Sequence, residues 1–388
     1  MNKKLLFFSS AICLFTSHLS AQWTQRANLT GSARSNACGF SIGTKGYICC
    51  GFDGNNTLDD LWEYDPSGNS WTQKANIPVR RQGAVSFVIG TNAYVGTGDD
   101  TTKLRDFWKW DQTTNTWTQK QNFLSTARTE ACGFSIGAKG YIGTGNDGSN
   151  KYDFYEYDTT TNAWTQKADF SQPGRNSCIG FSFGGKGYMG SGYKSGTVFT
   201  NIYEYDPAGN TWTYKTMTNY TAYAMTACVI GSTAFFGTGV DDNSVPYANF
   251  SSYDLVNDTV TLAPFGGTAR WNAVSFSIGN SVFMGTGFDS WYTQDLWEYA
   301  STVGVGEINS APSLVIISNP VYESLQFAVG GLKNNTNAEI FDVKGKSVFK
   351  SVIRNPQSAI DISAFPSGVY FLKISSEGKP AVKKFVKM

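Results

Sequence analysis

Residues 130–167, EACGFSIGAKGYIGTGNDGSNKYDFYEYDTTTNAWTQK, contain four short segments separated by turn residues. The segments are Glu130–Ile136, Tyr141–Gly145, Asp153–Asp158 and Trp164–Lys167. Glycines at both ends of Gly137-Ala-Lys-Gly140 favour a tight hairpin between the first two segments. Asp153–Asp158 alternates apolar and polar side chains, as a half-buried strand does. The stretch therefore predicts one four-stranded antiparallel sheet.

The same stretch recurs along the chain at intervals of 46 to 48 residues. Trp-Thr-Gln, or a variant of it, occurs at Trp23, Trp71, Trp117, Trp164 and Trp212. A further step of 48 residues reaches Val260-Thr261, where the tryptophan is lost. A repeat of this size indicates tandem copies of one supersecondary unit.

The first copy and the last copy are incomplete in complementary ways. After the N-terminal segment the chain starts at Trp23 with a fourth strand alone, and the last copy, residues 270–299, has three strands and no fourth. Pairing of these two ends would complete a sheet and leave no open edge. We therefore expect an all-β fold over residues 22–300: a six-bladed β-propeller of four-stranded antiparallel blades, closed by the N-terminal strand.

Residues 1–21 are typical of a secretory signal peptide. Lys3 and Lys4 precede an apolar run, and small residues flank the expected cleavage site after Ala21. The only histidine, His18, lies in this segment. Without it the exported chain has no Ser-His-Asp or Cys-His machinery and no His-ligated zinc. We expect an exported chain with no transmembrane segment, because no other stretch is apolar enough to cross a bilayer.

The charge distribution argues against nucleic acid as a partner. Residues from 301 onward carry ten Lys and Arg against six Asp and Glu, and residues 1–21 carry two lysines. Since the whole chain has a net charge of +1, residues 22–300 are acidic on balance. No basic face is indicated there. Aromatic residues make up 15% of the chain and charged residues 16%, which suits a β-rich extracellular protein.

The copies resemble the Kelch repeat, which implies a β-propeller. The shared pattern, an aromatic before a glycine-ended strand, then Tyr-Asp, then Trp, is carried by Tyr64-Asp65 with Trp71, Tyr157-Asp158 with Trp164, and Tyr205-Asp206 with Trp212. The paired glycines of the family are replaced by Gly-Thr-Gly, Gly-Ser-Gly or, at residues 49–51, Cys-Cys-Gly. For Cys49-Cys50 a vicinal disulfide and two buried thiols are both open, and we favour the thiols.

The tail is predicted to be a separate domain. Residues 301–312 have the composition of a linker, and residues 313–388 that of a small β-sandwich. Strands are expected around 313–318, 323–329, 337–343, 346–352, 369–375 and 380–387. The tail resembles the C-terminal sorting domain of the type IX secretion system at Asn319-Pro320, Leu325, Asp342 with Gly345-Lys346, Asp361-Ile-Ser363, Gly368-Val-Tyr-Phe371 and Lys383-Lys384-Phe-Val-Lys387. The resemblance implies contact with that machinery, removal of the tail, and a secreted or outer-membrane-surface location. A generic ligand-binding sandwich is the alternative.

Five of the six copies carry an arginine nine residues before the glycine that opens the first hairpin. These residues are Arg34, Arg81, Arg128, Arg175 and Arg270, and the fifth copy has Ala222 instead. The position is expected to start the innermost strand and to face one mouth of a central channel. A ring of guanidiniums there would bind carboxylates or phosphates of a ligand. Alternatively, each arginine pairs with a carboxylate or a carbonyl of a neighbouring blade.

Residues that break the repeat are candidates for function. Glu130 is the only acid at its repeat position, two residues after the arginine, and is a candidate ligand-binding residue or general base. Tyr220 and Tyr223, in the copy without arginine, are candidates for stacking on a sugar or for donating a proton. The alternative role of Glu130 is to neutralise Arg128 or Arg175.

Loops after the second strands supply two further sets of candidates. Asp99-Asp100 and Asp241-Asp242 are weak candidates for binding calcium, which needs about 6–8 oxygens, and we favour hydrogen bonding within turns. Trp291-Tyr292 is an aromatic pair where the other copies are polar, which suits contact with carbohydrate or protein. No cofactor is predicted.

These features favour a non-enzymatic, secreted or surface-exposed binding module for a glycan or an extracellular protein. One alternative is a carbohydrate-active enzyme, a sugar-acid lyase, epimerase or mutarotase, that uses Glu130, a tyrosine such as Tyr223 and the arginines. Another is a structural protein of a surface layer. Binding without turnover, turnover that depends on Glu130, and self-association without a ligand distinguish the three.

Overall fold

A computed structural model describes residues 23–300, 313–316, 321–330, 336–343, 345–353, 357–376 and 379–388. The predicted signal peptide and the predicted linker lie outside these residues. The described residues form strands, turns and loops and contain no helix, so none of them lies in a helix suited to span a membrane. They fall into two compact units, one on each side of the predicted linker.

The described part of the first unit contains six four-stranded antiparallel sheets and one two-stranded hairpin. The first strand, β1 (Trp23–Arg26), belongs to the sixth sheet. The first three sheets consist of β2 (Cys38–Ile42), β3 (Lys45–Cys49), β4 (Leu61–Asp65) and β5 (Ser70–Lys74); β6 (Val85–Ile89), β7 (Asn92–Gly96), β8 (Phe107–Asp111) and β9 (Thr116–Lys120); and β10 (Cys132–Ile136), β11 (Lys139–Gly143), β12 (Phe154–Asp158) and β13 (Ala163–Gln166).

The other three sheets continue this order. The fourth consists of β14 (Ile179–Phe183), β15 (Lys186–Gly190), β18 (Asn201–Asp206) and β19 (Thr211–Met217), with the hairpin β16 (Tyr193–Lys194) and β17 (Thr197–Val198) inserted. The fifth consists of β20 (Thr226–Ile230), β21 (Thr233–Gly237), β22 (Asn249–Asp254) and β23 (Thr259–Pro264), and the sixth of β24 (Val274–Ile278), β25 (Ser281–Gly285), β26 (Leu296–Ala300) and β1. Each sheet therefore corresponds to one sequence repeat.

The repeated tryptophan joins each sheet to the one before it. Trp117 in β9 donates a hydrogen bond of 2.7 Å from Nε1 to the carbonyl of Ala75, which follows β5. The same bond is made by Trp23 to Pro264, Trp71 to Ala27, Trp164 to Gln121 and Trp212 to Ala168. In the fifth sheet Val260 stands in place of the tryptophan, and a valine side chain cannot make this bond.

Glycine near the start of the second strand lets neighbouring sheets approach closely. A Cβ added to Gly140 in β11 would lie 2.1 Å from the ring of Phe87 in β6. Gly46 meets Phe276, and Gly187 meets Phe134, in the same way. The edge of each phenylalanine thus fills the space that a side chain would take. Burying such a ring stabilises the fold by about 1.5–3 kcal/mol.

Strand β1 completes the sixth sheet from the other end of the unit. It pairs antiparallel with β26, with Trp23 opposite Tyr299. The Trp23 ring packs edge-on against Phe250 at a centroid distance of 4.8 Å. Arg26 donates a hydrogen bond of 2.6 Å to Glu298. The two ends of the unit are therefore held by backbone pairing, an aromatic contact and an ion pair.

The first strand of every sheet is its innermost strand. These strands contact one another in the order β2, β6, β10, β14, β20, β24 and back to β2. Small residues lie where they meet, as at Gly39 against Val274 and Gly133 against Val85. Residues from all six sheets line two cavities, one toward each end of these strands, which we call the channel.

The second unit contains two antiparallel sheets with a shared apolar core. One sheet has the order β27 (Ser313–Ile316), β28 (Ser324–Gly330) and β31 (Gln357–Asp361), and the other has β30 (Ser347–Ile353), β29 (Thr336–Asp342), β32 (Gly368–Ser376) and β33 (Lys379–Lys387). The core includes Leu325, Ile340, Leu372 and Phe385, all fully buried. Strand β31 has no counterpart among the predicted strands, because Gln357-Ser358-Ala359 lacks a strong β pattern.

Candidate functional site

The five repeated arginines are buried inside the sheets and do not face the channel. Each has at most 1% of its surface exposed. Arg128 donates a bidentate pair of hydrogen bonds to Asp153, at 2.5 and 2.8 Å, and a third bond of 2.9 Å to the carbonyl of Thr144. The same carboxylate pairing joins Arg34 to Asp60, Arg81 to Asp106 and Arg270 to Asp295.

This arrangement corrects the sequence prediction of an arginine-lined mouth. The arginines precede the innermost strands and turn into the sheet, because a partner carboxylate precedes the third strand of the same sheet. The alternative prediction was that each arginine pairs with a carboxylate or a carbonyl of a neighbouring blade. The arginines are paired in this way, but their partners lie in the same sheet. Burial opposes ionisation of Asp153, but the Arg128 guanidinium outweighs it and lowers the pKa of Asp153. Four of the five arginines are therefore committed to internal ion pairs, and Arg175 is the exception.

Two sheets depart from this pattern. In the fourth, Arg175 meets the amide oxygen of Asn201 at 2.8 Å instead of a carboxylate, and its Nη2 has no hydrogen-bond partner. The Phe199 ring lies 3.6 Å from the guanidinium carbon. Burial lowers the pKa of Arg175. In the fifth sheet, Ala222 replaces the arginine, and the Tyr220 hydroxyl donates a hydrogen bond of 3.1 Å to the carbonyl of Thr238, which is equivalent to Thr144.

The uncompensated Arg175 predicts that Asn201→Asp stabilises the first unit. A carboxylate at this position would reproduce the bidentate pair of the other sheets, and a hydrogen bond to a charged group contributes about 1.5–3 kcal/mol. We expect a higher melting temperature in thermal unfolding followed by circular dichroism. Asn249→Asp is the matched control: it places a carboxylate at the equivalent position of the sheet without arginine, and should lower the melting temperature. Equal shifts in both variants would contradict the prediction.

The residues two positions after the five arginines and after Ala222 form a ring of backbone hydrogen bonds, which we call the mouth ring. Its members are Asn36, Gly83, Glu130, Ser177, Ala224 and Asn272. Each N–H donates to the carbonyl of the preceding member, at 2.8 to 3.2 Å, and Asn36 donates to Asn272. All six have a φ between 51° and 58°. Five of them are not glycine, and this left-handed conformation costs them about 1–2 kcal/mol each, which the hydrogen bonds offset.

Glu130 lies in the mouth ring, ahead of β10 and not in the strand where the sequence placed it. The mouth ring and the first residues of the inner strands line a cavity of about 190 Å³. Glu130 is the one Asp, Glu, Lys or Arg among these lining residues. Ser177 donates a hydrogen bond of 3.1 Å to its Oε2. Arg128 and Arg175 are engaged within their own sheets, so Glu130 does not neutralise either of them.

Burial raises the pKa of Glu130, and the nearby Asp99 carboxylate raises it further. The Ser177 hydrogen bond and the more distant Lys103 oppose this shift. Burial also raises the pKa of Asp99. The channel mouth therefore places the Glu130 and Asp99 carboxylates near each other with no arginine to neutralise them. This arrangement lowers the stability of the fold, which is typical of a functional site.

Polar and aromatic side chains surround this carboxylate pair. The Oδ1 atoms of Asp99 and Asn176 are buried and have no hydrogen-bond partner among the described residues. Tyr223, the predicted stacking residue, packs on Tyr193 at a centroid distance of 4.6 Å. Burial raises the pKa of Tyr223, and the neighbouring Tyr193 and Glu130 add to the effect. Asn176 and Tyr193 also line an open cavity of about 540 Å³ beside the mouth ring.

The predicted aromatic pair divides into an exposed residue and a packed one. Trp291 has 80% of its surface exposed. Tyr292 packs between Phe52 and Phe288, at centroid distances of 5.7 and 5.1 Å. Trp271 contacts Phe288 in turn. Trp291 thus extends from an aromatic patch formed by the loops of the first and sixth sheets.

Among the weak calcium candidates, Asp241 accepts hydrogen bonds within a turn and Asp100 accepts one from another sheet. Asp241 accepts hydrogen bonds from the N–H groups of Asn243 and Val245, at 2.9 and 2.8 Å. Asp100 accepts one from the hydroxyl of Thr57. In the described part of the chain no group of three or more His, Cys, Asp or Glu side chains is arranged to hold a metal ion.

Parts of the chain match known families. Residues 33–78 match the Kelch motif, and residues 316–388 match the secretion system C-terminal sorting domain. The tail is a type IX sorting domain. The protein is therefore exported, and it is secreted or held at the cell surface, as the sequence predicted.

One solved structure shares the fold of this exported protein. It is titled "Structure of YjhT" and has a TM-score of 0.60 and 15% sequence identity, with coverage of 69% of this chain and 94% of that chain. At this identity the likeness shows the fold alone, a β-propeller, and confirms the predicted architecture at that level. No curated protein matches the chain.

The mouth of the exported propeller contains functional candidates that the sequence analysis missed. Asn176 and Tyr193 were not singled out, and Asp99 was considered only as a calcium ligand. Asn176 directly follows Arg175, and Tyr223, which was a candidate from the sequence, directly follows Ala222 at the break in the repeat. Tyr193 belongs to the hairpin β16–β17, and its bridge to Asn176 is a tertiary contact.

Proposed function

We propose that the six four-stranded sheets are the blades of one closed propeller. Three observations support this proposal. Strand β1 pairs with β26, the innermost strands contact one another in cyclic order, and the mouth ring returns from Asn272 to Asn36 through backbone hydrogen bonds. A closed ring leaves no unpaired sheet edge for aggregation outside the cell.

We further propose that the propeller is a binding module that the sorting tail brings to the cell surface or the medium. Its ligand is a glycan that docks at the mouth ring. The observation that carries this proposal is Glu130, a half-buried carboxylate in the mouth ring with one side-chain hydrogen bond and no ion pair in the described part of the chain. A carboxylate placed there without a cation costs stability, and a ligand that donates hydrogen bonds to it offsets this cost.

The chemistry of the mouth favours a neutral, hydroxyl-rich glycan over an acidic one. Glu130, Asp99 and Asn176 present oxygens that accept hydrogen bonds, and hydroxyl groups of a sugar are matching donors. The arginines that would attract an acidic sugar are all buried, four of them in internal ion pairs. Tyr193 with Tyr223, and the exposed Trp291, offer flat apolar faces for sugar rings.

Retention of the exported protein on immobilised glycans tests this function. We expect retention on a subset of neutral polysaccharides that persists at high salt and is lost in Glu130→Gln. Asp169→Asn is the matched control, because it removes an equal charge from an exposed site away from the mouth. No retention of the wild-type protein on any glycan, or equal retention of both variants, would overturn the proposal.

Glu130→Gln is also expected to stabilise the propeller near neutral pH. The folded state raises the pKa of Glu130, so ionisation at pH 7 costs stability, and this cost disappears as the pH falls below the unfolded-state value. We expect a melting temperature higher than wild type by roughly 2–4 °C at pH 7, the shift for about 1 kcal/mol in a domain of this size. The gain should vanish near pH 4; a gain that is independent of pH would refute the assignment.

A carbohydrate-active enzyme is the second candidate function. It is favoured by the raised pKa of Glu130 and by its proximity to Tyr223, because general acid–base catalysis uses a carboxyl group of perturbed pKa beside a second group that can transfer a proton. Turnover of neutral or acidic sugars by an epimerase, lyase or mutarotase reaction, abolished in Glu130→Gln while binding persists, would select it over simple binding. Self-association without any glycan would instead select the surface-layer role.

A further inference from the structure

The first sheet contains a pair of adjacent cysteines where the other sheets have glycine and a hydroxyl residue. The equivalent positions are Gly-Thr at 96–97, 143–144, 237–238 and 285–286, and Gly-Ser at 190–191. A Cβ added to Gly96 would lie 2.5 Å from the Phe107 ring. In the first sheet Leu61 replaces that phenylalanine. The sixth sheet also has a leucine, Leu296, opposite its glycine, Gly285, so the leucine alone does not account for Cys49.

The two thiols face each other in the protein interior. Cys49 ends β3, and Cys50 follows it with a φ of 67°. Both residues are completely buried, and their Sγ atoms are 3.0 Å apart. A bond between them brings the sulfurs about 1 Å closer and strains the chain, because adjacent Cα atoms lie about 3.8 Å apart and disulfides prefer about 4.4–6.8 Å.

Export places this pair in a compartment where disulfides form. The sorting tail directs the chain across the cell envelope, which unlike the cytosol is oxidising. We propose that the exported protein carries a vicinal disulfide between Cys49 and Cys50. The reaction breaks the two S–H bonds of the pair and forms one S–S bond. The two electrons and two protons that the thiols release pass to the disulfide of an envelope thiol–disulfide oxidoreductase, which becomes a dithiol.

Oxidation must precede burial of the pair. The thiolate is the species that attacks a disulfide, and burial raises the pKa of Cys49 well above its ordinary value. In the folded protein the pair is thus unreactive and inaccessible. The bond forms on the exported chain before the first sheet packs, and the folded propeller then protects it from reductants.

The disulfide would stiffen the connection from β3 to the mouth. The carbonyl of Cys50 accepts a hydrogen bond of 2.9 Å from the Arg34 guanidinium. The N–H of the next residue, Gly51, donates one of 2.9 Å to the backbone carbonyl of Arg81. Phe52, one residue further, contacts Tyr292 in the aromatic patch. A ring through Cys49 and Cys50 therefore fixes the base of a loop that borders the proposed binding mouth.

Mass spectrometry of the protein exported by its own host tests the proposal. The chain is denatured and alkylated without a reductant. We expect four of the six cysteines that the structure describes to be alkylated, and all six after reduction. Trypsin releases Cys49 and Cys50 together in the peptide 46–74 and Cys38 in the peptide 35–45. A vicinal bond makes the single peptide 46–74 lighter by two hydrogens.

Two other outcomes would overturn the proposal. Six alkylated cysteines without reductant would show that the pair stays reduced on export. A link between peptides 35–45 and 46–74 would show a cross-strand bond from Cys38, the register partner of Cys49. The variant Cys49→Gly/Cys50→Thr, which restores the sequence of the other sheets, is the control. All four of its remaining cysteines should be alkylated without a reductant. Its melting temperature should be the same with and without reductant, whereas that of the wild type should change.

Discussion

Deleting residues 23–28 is expected to lower the melting temperature of the propeller unit by more than about 10 °C. The deletion removes β1 and leaves the backbone groups of β26 without their strand partner. It also removes Trp23, whose ring packs against Phe250 and Phe265. Loss of one such tryptophan costs about 3–5 kcal/mol, and each kcal/mol shifts the melting temperature by roughly 2–4 °C.

Point variants separate the role of the strand from the role of its tryptophan. Trp23→Ala keeps β1 and should produce an intermediate loss of stability in the same thermal unfolding measurement. Trp291→Ala removes an equally large side chain that is 80% exposed, and should leave the melting temperature unchanged. If the deletion unfolded at the wild-type temperature, β1 would not be closing the ring.

The repeat and its incomplete ends were enough to predict a β-propeller fold built from repeated four-stranded sheets. The period of 46 to 48 residues defined the sheets, and the lone Trp23 strand at one end predicted its pairing with the last copy. This part was predictable because strand alternation, turn glycines and repeated tryptophans are local signals. The hairpin β16–β17 at residues 193–198 was not predicted, although the other five copies have an isolated bridge at the equivalent place, as between Asn146 and Asn150. These loops differ in residue type from copy to copy, so they carry no repeated strand signal.

The partner of four of the five arginines is also encoded in the sequence by a nearly constant spacing. Arg34 and Asp60 are 26 residues apart, and Arg128 and Asp153 are 25 apart. The copy with Ala222 in place of the arginine has Asn249 in place of the acid, whereas the copy with Arg175 keeps the arginine and has Asn201 in place of the acid. A carboxylate at this spacing in four copies indicates an internal pair, and argues against a ligand that every arginine would contact.

The geometry of the mouth ring was not predictable from residue types. Asn36 and Gly83 are common in left-handed conformations, but Glu130 and Ala224 are not. Their conformation is imposed by hydrogen bonds between sheets, which exist only once neighbouring sheets have packed. Sequence alone identified Glu130 as unusual, and the structure was needed to show that no arginine neutralises it.

Arg128→Ala is expected to cost about 3–5 kcal/mol, because it leaves the half-buried Asp153 carboxylate without its ion-pair partner. Thermal and urea unfolding should both show the loss. The folded state lowers the pKa of Asp153, so the pair stabilises the protein above the unfolded-state pKa and this contribution fades as the pH falls through the folded value. The gap between variant and wild type should therefore narrow in acid. A variant that lost glycan binding but kept full stability would instead restore a ligand-binding role for this arginine.

The fifth sheet folds without the arginine–aspartate pair, and its residues can be introduced into the third sheet by substitution. Arg128→Ala/Asp153→Asn removes both charges and should be more stable than Arg128→Ala alone, since an amide at position 153 costs less to bury than a carboxylate. Adding Thr126→Tyr places a tyrosine where Tyr220 stands in the fifth sheet, with the carbonyl of Thr144 in reach as its acceptor. We expect the triple variant to recover most of the lost stability by urea unfolding. If the triple variant were no more stable than Arg128→Ala, the tyrosine of the fifth sheet would not be the substitute for the ion pair.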